Sequence, residues 1–221
     1  MTGTVRVKWP KGTYTLVKPK SGCPSGWLEG WRNQDNEDYV NRNSVTYNAD
    51  NYQHHFFGID GTHPKNINIS YCTKDPNDVN EEGNWPKGSY CILKHGSTCP
   101  DGAFQSGYVI WDDEDSNNEN SKGGELPSGS FDWNTRIDYC CRSDSPFYTG
   151  IQLPTSKPFY LLKHKDSHFC PSVIGMSVRE EYVYTDDEND DNINSVHGSH
   201  PYGPFSGGRN HKLYYCYYWS H

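Results

Sequence analysis

The sequence predicts an all-β domain made of three internal repeats, stapled by disulfides and arranged as a pseudo-threefold β-prism. A β-trefoil is the alternative that the same repeats would satisfy. Three observations support the fold class: a fixed order of markers that occurs three times, an aromatic-rich composition, and eight ordered cysteines. We expect one domain over 1–221, with repeat units at 9–75, 85–143 and 153–219.

Each unit opens on a similar segment. Trp-Pro-Lys-Gly-Thr-Tyr starts at Trp9, Trp-Pro-Lys-Gly-Ser-Tyr starts at Trp85, and a divergent Leu-Pro copy starts at Leu153. A Cys-Pro pair, an acidic Asn-rich run and a closing Tyr-Cys pair follow each opening. This fixed order implies one supersecondary unit used three times and packed on its own copies.

The composition favours strands and limits the partner classes. Only 33% of the 221 residues are hydrophobic, yet the chain holds 17 Tyr and seven Trp, which suit a sheet. A net charge of -8 argues against a nucleic-acid partner or an anionic membrane bound by bulk electrostatics. No apolar run approaches the roughly 20 residues that a membrane-spanning helix needs.

Nine segments have the pattern of strands, three in each unit. Each unit is therefore expected to supply one small antiparallel sheet. The opening segments are Tyr14–Lys18, Tyr90–Lys94 and Phe159–Lys163, the second are Trp27–Trp31, Ala103–Trp111 and Met176–Tyr184, and the closing ones are Ile67–Cys72, Arg136–Cys140 and Lys212–Trp219.

The eight cysteines predict an oxidised, extracellular framework. A disulfide that closes each unit on itself gives three pairs, and the two cysteines left over both belong to the second unit. Zinc is disfavoured, because the sequence has no Cys-x-x-Cys. The predicted pairs are Cys23–Cys72, Cys99–Cys140, Cys170–Cys216 and Cys91–Cys141.

The acidic runs are the segments whose side chains are best suited to bind a ligand or a metal ion. All three follow Asp-(Asp/Asn)-Glu-(Asp/Asn)-x-x-Asn-x-Asn-Ser. Three interpretations stay open: structural hydrogen bonding, one calcium ion per unit, or direct ligand contact. The run lacks the glycine that an EF-hand has at its sixth position. The candidate calcium ligands are Asp35, Glu37, Asp38, Asp112, Glu114, Asp115, Asp186, Glu188 and Asp190.

The sequence does not indicate an enzyme. A catalytic pair of carboxylates is normally unique, whereas here equivalent carboxylates occur in three copies. Gly-x-Ser-x-Gly, His-Glu-x-x-His and phosphate-loop motifs are absent from the chain.

The segment before each closing strand differs between units and carries aromatic side chains. Aromatic rings among Gly, Pro and His suit stacking on sugars or insertion into a membrane interface, or they pack back on the sheet edges. The candidate ligand or membrane residues are His54, His55, Phe56, Phe57, Phe131, Trp133, Tyr202 and Phe205.

One family carries this pattern. The segment from Trp9 to Asp38, together with the order of the eight cysteines and the repeated acidic runs, resembles the C-terminal domain of apextrin, the ApeC domain. The resemblance covers roughly Trp9 to Trp219. The chain is also distantly similar to the β-rich C-terminal domain of apicomplexan perforin-like proteins, which resembles a three-sheet β-prism used for membrane targeting.

The resemblance implies a secreted protein of innate immunity or of the extracellular matrix. Its relatives are associated with bacterial peptidoglycan and muramyl dipeptide, and some carry the domain behind a perforin domain. Three functions follow as expectations: a module that recognises bacterial cell-wall glycan, a membrane-targeting tail of a pore-forming protein, and a matrix or adhesion module. Because Met1–Val5 is not a signal peptide, we expect a removed signal or a longer parent chain.

Overall fold

The computed structural model describes residues 7–46, 66–79, 81–203 and 209–220. These residues form thirteen β-strands and contain no helix, so the all-β prediction is confirmed. Consequently, the described chain has no helix with the length and apolarity that crossing a bilayer requires.

Nine of the strands match the nine predicted segments. The opening strands are β1 (Tyr14–Val17), β5 (Ser89–Lys94) and β10 (Phe159–Lys163); the second strands are β2 (Leu28–Asp35), β6 (Gln105–Trp111) and β11 (Ser177–Thr185); the closing strands are β4 (Asn66–Thr73), β9 (Thr135–Ser143) and β13 (His211–Trp219). The other four strands have two to four residues each and were not predicted: β3 (Ser44–Val45), β7 (Ser121–Gly124), β8 (Gly129–Phe131) and β12 (Ser195–Gly198).

All thirteen strands belong to one open antiparallel sheet. The opening strand β5 lies at its centre and pairs with β1, β9 and β10. Each opening strand pairs with the closing strand of its own unit, and that closing strand pairs with the second strand. The three units are therefore joined through their first strands.

The short strands join the units a second time. β7 of the second unit pairs with β2 of the first, β12 of the third pairs with β6 of the second, and β3 of the first pairs with β11 of the third. The expectation of a separate small sheet in each unit is therefore wrong. The last serine of each acidic run begins one of these strands, which covers backbone groups of a neighbouring strand that would otherwise be a sheet edge.

Side chains on the two faces of the sheet form two buried clusters. On β1, Tyr14 and Leu16 belong to one cluster and Val17 to the other, as the alternation of a strand requires. Tyr14 donates its hydroxyl hydrogen to the carbonyl of Pro10 at 2.9 Å, and the equivalent Tyr90 bonds Pro86 at 2.5 Å. These bonds anchor two of the unit openings to the sheet.

The disulfides occupy both faces. Cys23–Cys72, Cys99–Cys140 and Cys170–Cys216 each close one unit, and Cys91–Cys141 is the additional bond of the second unit. These are the four pairs that the repeat predicts. Cys140 lies in one buried cluster and the adjacent Cys141 in the other, so neighbouring cysteines on β9 bond partners on opposite faces.

The exchanged strands can be tested at Gly107 on β6. A Cβ atom at Gly107 would overlap the backbone of Ser199 beside β12, although the residue has no left-handed backbone. We expect Gly107→Ala to lower the free energy of unfolding by about 2 kcal/mol or more, because backbone cannot yield as a side chain does. Urea unfolding measures the change.

Gly102→Ala is the matched control, because a Cβ at Gly102 meets nothing within 4 Å. It should change stability little. If both variants unfold at the same urea concentration, the close pairing of β12 with β6 is contradicted.

Candidate functional site

The three acidic runs meet each other. The amide of Glu37 donates to the carbonyl of Asp186 at 2.9 Å, that of Glu114 donates to Asp35 at 3.1 Å, and that of Glu188 donates to Asp112 at 3.1 Å. Each run thus donates to the start of the preceding one in a closed cycle: the first to the third, the second to the first, and the third to the second.

Side chains repeat the same cycle. The first aspartate of each run accepts an amide hydrogen from the neighbouring run, and its own amide donates to an asparagine of that neighbour. The amide-to-carboxylate bonds are Glu119 to Asp35 at 2.8 Å, Ile193 to Asp112 at 3.1 Å and Arg42 to Asp186 at 2.7 Å. The amide-to-asparagine bonds are Asp35 to Asn120, Asp112 to Asn194 and Asp186 to Asn43, at 2.6 to 2.7 Å. The predicted role in structural hydrogen bonding therefore has a defined geometry.

The sixth position of every run has a left-handed backbone. Its φ is 59° at Val40, 55° at Asn117 and 48° at Asp191. Asn and Asp tolerate this conformation, whereas a β-branched residue is strained in it. The turn is therefore conserved among the three copies even though none carries the glycine of an EF-hand.

Three glutamate carboxylates converge where the runs meet. Oxygen atoms of Glu37, Glu114 and Glu188 lie within 4.8 Å of one another, and these residues are only 7, 5 and 7% exposed. Each carboxylate accepts an amide hydrogen from its own loop. Each also accepts a hydrogen from a neighbouring run, from Asp38, Asp115 or Asn189. Burial raises the pKa of Glu114, and the charge of Glu188 adds to this effect.

This group has the chemistry of a cation ligand set. Two oxygens that each lie about 2.4 Å from one calcium ion are separated by at most about 4.8 Å, which matches the three glutamates. Such an ion would take its remaining ligands from water. Among the described residues, the carboxylates that come within ligand distance of one another meet at one shared point, and the expected cation in each unit stays a prediction.

The other six predicted calcium ligands lie outside this point. Asp35, Asp112 and Asp186 bond backbone amides of the neighbouring runs, and Asp38, Asp115 and Asp190 are exposed on the loops. Calcium binding itself stays a prediction of the sequence.

Another buried carboxylate occupies the second position of the second run. Asp113 accepts hydrogens from Gln34 at 2.7 Å, Asn120 at 2.8 Å and Thr135 at 2.6 Å. Burial nevertheless raises its pKa to about 7. Asp112, beside it, has its pKa raised to about 6, again mainly by burial. This end of the molecule therefore changes its charge close to neutral pH.

The predicted aromatic residues have different positions. Trp133 is 68% exposed beside the second acidic run. Phe131 is 7% exposed and belongs to the core, so its prediction as a surface ligand residue is wrong. Tyr202 is half-buried, with its ring against His168, Tyr214 and the ammonium of Lys163. The candidates at His54, His55, Phe56, Phe57 and Phe205 lie outside the described residues.

The sequence prediction missed two exposed apolar residues of the first run. Tyr39 is 83% exposed and Val40 is 63% exposed. The other units have Ser116-Asn117 and Asp190-Asp191 at these positions. This departure from an otherwise shared motif was the available signal.

The chain also carries the sequence signature of a known domain family. The family model for the C-terminal domain of apextrin, ApeC, matches residues 9–218. The chain belongs to the ApeC family. Membership indicates an apextrin-like extracellular domain. Neither a curated protein nor a solved structure matches the chain.

The titration of Asp113 gives the ApeC domain a testable pH dependence. Its pKa is about 7 in the folded state and near 4 when exposed, so the folded state binds more protons between these pH values. The contribution of Asp113 to the free energy of unfolding therefore decreases as pH rises from 5 to 7. Asp113→Asn, which introduces the residue of the first unit at Asn36, should remove roughly 1 kcal/mol of this decrease per pH unit.

Urea unfolding of the wild type and of Asp113→Asn at pH 5 and pH 7 measures this difference. Asp132→Asn, at an exposed carboxylate of the same unit, is the control and should keep the wild-type pH dependence. Parallel pH profiles for the wild type and Asp113→Asn would contradict a raised pKa at Asp113.

Proposed function

We propose that this ApeC domain is a recognition module of a secreted protein, and that it binds bacterial cell-wall glycan or glycopeptide such as peptidoglycan in innate defence. The observation that carries the proposal is the exposed indole of Trp133 beside the second acidic run. Four disulfides support a secreted protein, because such bonds persist in oxidising compartments.

The backbone of Trp133 is held by hydrogen bonds, and its ring is exposed. Its carbonyl accepts hydrogens from Asn118 at 3.0 Å and from Asn120 at 3.3 Å, and both asparagines belong to the acidic run. An indole on a fixed backbone offers a broad apolar face for the C–H face of a sugar ring, and only its side-chain torsions remain to be ordered. The exposed amides and carboxylates around it can bond sugar hydroxyl groups.

We also infer that the three units surround a pseudo-threefold axis, as in a β-prism. The cyclic exchange of the strands β3, β7 and β12 and the cyclic bonds between the acidic runs support this arrangement. The counterpart of Trp133 in the third unit is Arg209, whose carbonyl accepts hydrogens from Asn192 and Asn194 in the same way. An axis of this kind therefore does not make the binding surface symmetric.

A membrane-targeting role is the second candidate, and Tyr39 and Val40 favour it. Both side chains are exposed at the tip of a loop, and the backbone of Val40 is strained. An aromatic and an aliphatic side chain at a loop tip can enter a lipid interface. Charge disfavours this role, because carboxylates surround the tip and repel anionic lipids.

Pull-down on insoluble peptidoglycan tests the proposal. The wild-type chain should co-sediment, and Trp133→Ala should weaken binding about fivefold or more through loss of the stacking face. Tyr148→Ala, at a residue that is 72% exposed in another loop, is the control and should bind like the wild type. Equal binding by the Trp133 and Tyr148 variants would contradict this site.

Flotation with phosphatidylcholine vesicles separates the alternatives. A wild-type chain that floats, and a Tyr39→Ser/Val40→Asn variant that does not, would favour the membrane role. Binding to neither material would contradict both proposals and leave the matrix or adhesion role.

A further inference from the structure

A cleft lies between the openings of the first and third units. It has a volume of about 330 Å³; its aromatic side chains are Trp9 and Trp27, and Pro24, Pro154 and Lys157 also line it. Trp27 precedes β2 and the first acidic run begins at its far end, eight residues on. Eight strand residues span about 26 Å, so the cleft and Trp133 are separate sites.

The cleft occurs where the repeat is broken. At the matching junction between the first two units, Gly12 packs so closely that a Cβ atom there would lie 2.8 Å from Cβ of Pro100. The third opening has six residue steps from Leu153 to Phe159, against five from Trp9 to Tyr14, and it contains no glycine. Its backbone therefore lacks the residue that permits this close approach.

A lysine joins the two units at this junction instead. Lys157 donates from Nζ to the carbonyl of Cys23 at 2.8 Å, across the cleft wall. An ammonium group has three donors, so two remain for a ligand. Lys8 is exposed and also lines the cleft, and Asp78 is the acidic residue among its lining. The charge of the lining is positive on a protein whose net charge is -8.

The aromatic wall is rigid. The ring of Trp9 lies 5.2 Å from that of Trp27 and 5.2 Å from that of Phe159, measured between centroids. Trp9 is half-buried, so one side is packed while another faces the cleft. The equivalent Leu153 of the third unit is buried and offers no such face. The cleft therefore combines a fixed indole surface with two ammonium groups.

We propose that this cleft binds a carboxylated saccharide of one or two rings. The sugar face packs against the open side of Trp9, which the buried ring of Trp27 supports, and the carboxylate lies between Lys8 and Lys157, where charge-assisted bonds form. The volume is at the lower end of the roughly 300–1,000 Å³ of ligand pockets, which limits the ligand to a compact one. The choice of a bacterial acidic sugar as probe rests on the proposed function, whereas the site does not.

Calorimetric titration of the full chain with two sugars tests the proposal. N-acetylmuramic acid and N-acetylglucosamine differ by a carboxylate-bearing lactyl group, so the first should bind about tenfold or more tightly. Lys8→Gln should weaken its binding about five- to tenfold, and Trp9→Leu, which introduces the third unit's residue, should weaken the binding of both sugars. Lys87→Gln, at an exposed lysine outside the cleft, should leave both affinities unchanged.

Equal affinity for the two sugars, or an unchanged affinity in Lys8→Gln, would overturn the proposal. Titration with glucuronic acid, a carboxylated sugar, tests the cleft independently of the proposed bacterial ligand. If glucuronic acid binds the wild type and binds Lys8→Gln more weakly, while peptidoglycan is not pulled down, the cleft proposal is supported and the proposed bacterial ligand is contradicted. If peptidoglycan is pulled down through Trp133 while neither acidic sugar binds, the cleft proposal is contradicted and the proposed function is supported.

Discussion

The backbone bonds between neighbouring acidic runs are the constraint on which the rest of the structure depends. Each run bonds the start of the preceding run, and its last serine begins a strand that is added to the neighbouring unit. A unit of about 70 residues with few apolar side chains buries little surface alone. The exchanged strands satisfy backbone groups that each isolated unit would leave at an edge. The disulfides close the units individually, but the runs and strands hold them to one another.

This division explains which residues are available for binding. Side chains shared by the three copies, such as the glutamates at the centre of the runs, are buried and already accept hydrogen bonds within the protein. The candidate ligand residues are those that differ between copies: Trp133, the Tyr39-Val40 tip, and the opening of the third unit with Lys157. Repetition therefore builds the scaffold, and departures from repetition supply the surfaces that can recognise a partner.

Much of the scaffold could be predicted from the sequence. The nine predicted strands carry apolar and aromatic residues in strand patterns, and closing each repeat on itself leaves one choice of cysteine pairing. The short strands could not be predicted, because Ser44–Val45 and Ser121–Gly124 have two and four residues and no apolar alternation. Their partners lie in other units, so pairing depends on long-range packing that local pattern does not encode.

The site was less predictable for related reasons. The acidic motif indicated its polar chemistry but not that three glutamates from different units meet at one point. Phe131 and Trp133 belong to the same predicted loop in the sequence. In the structure Phe131 is the last residue of β8, and its side chain is buried in the core. The cleft arises from one extra residue step in the third opening, whose effect appears only when Gly12 and Pro100 show how close the regular junction is.

Native-state hydrogen exchange measures the interlock between the runs most directly. The amides of Glu37, Glu114 and Glu188 each donate to a carbonyl of another unit and are predicted to exchange only by global unfolding. All three should therefore have the same exchange free energy, equal to the free energy of unfolding from urea titration. Exchange of any one of them at the rate of an exposed loop amide would show that its run opens independently, and it would contradict the account.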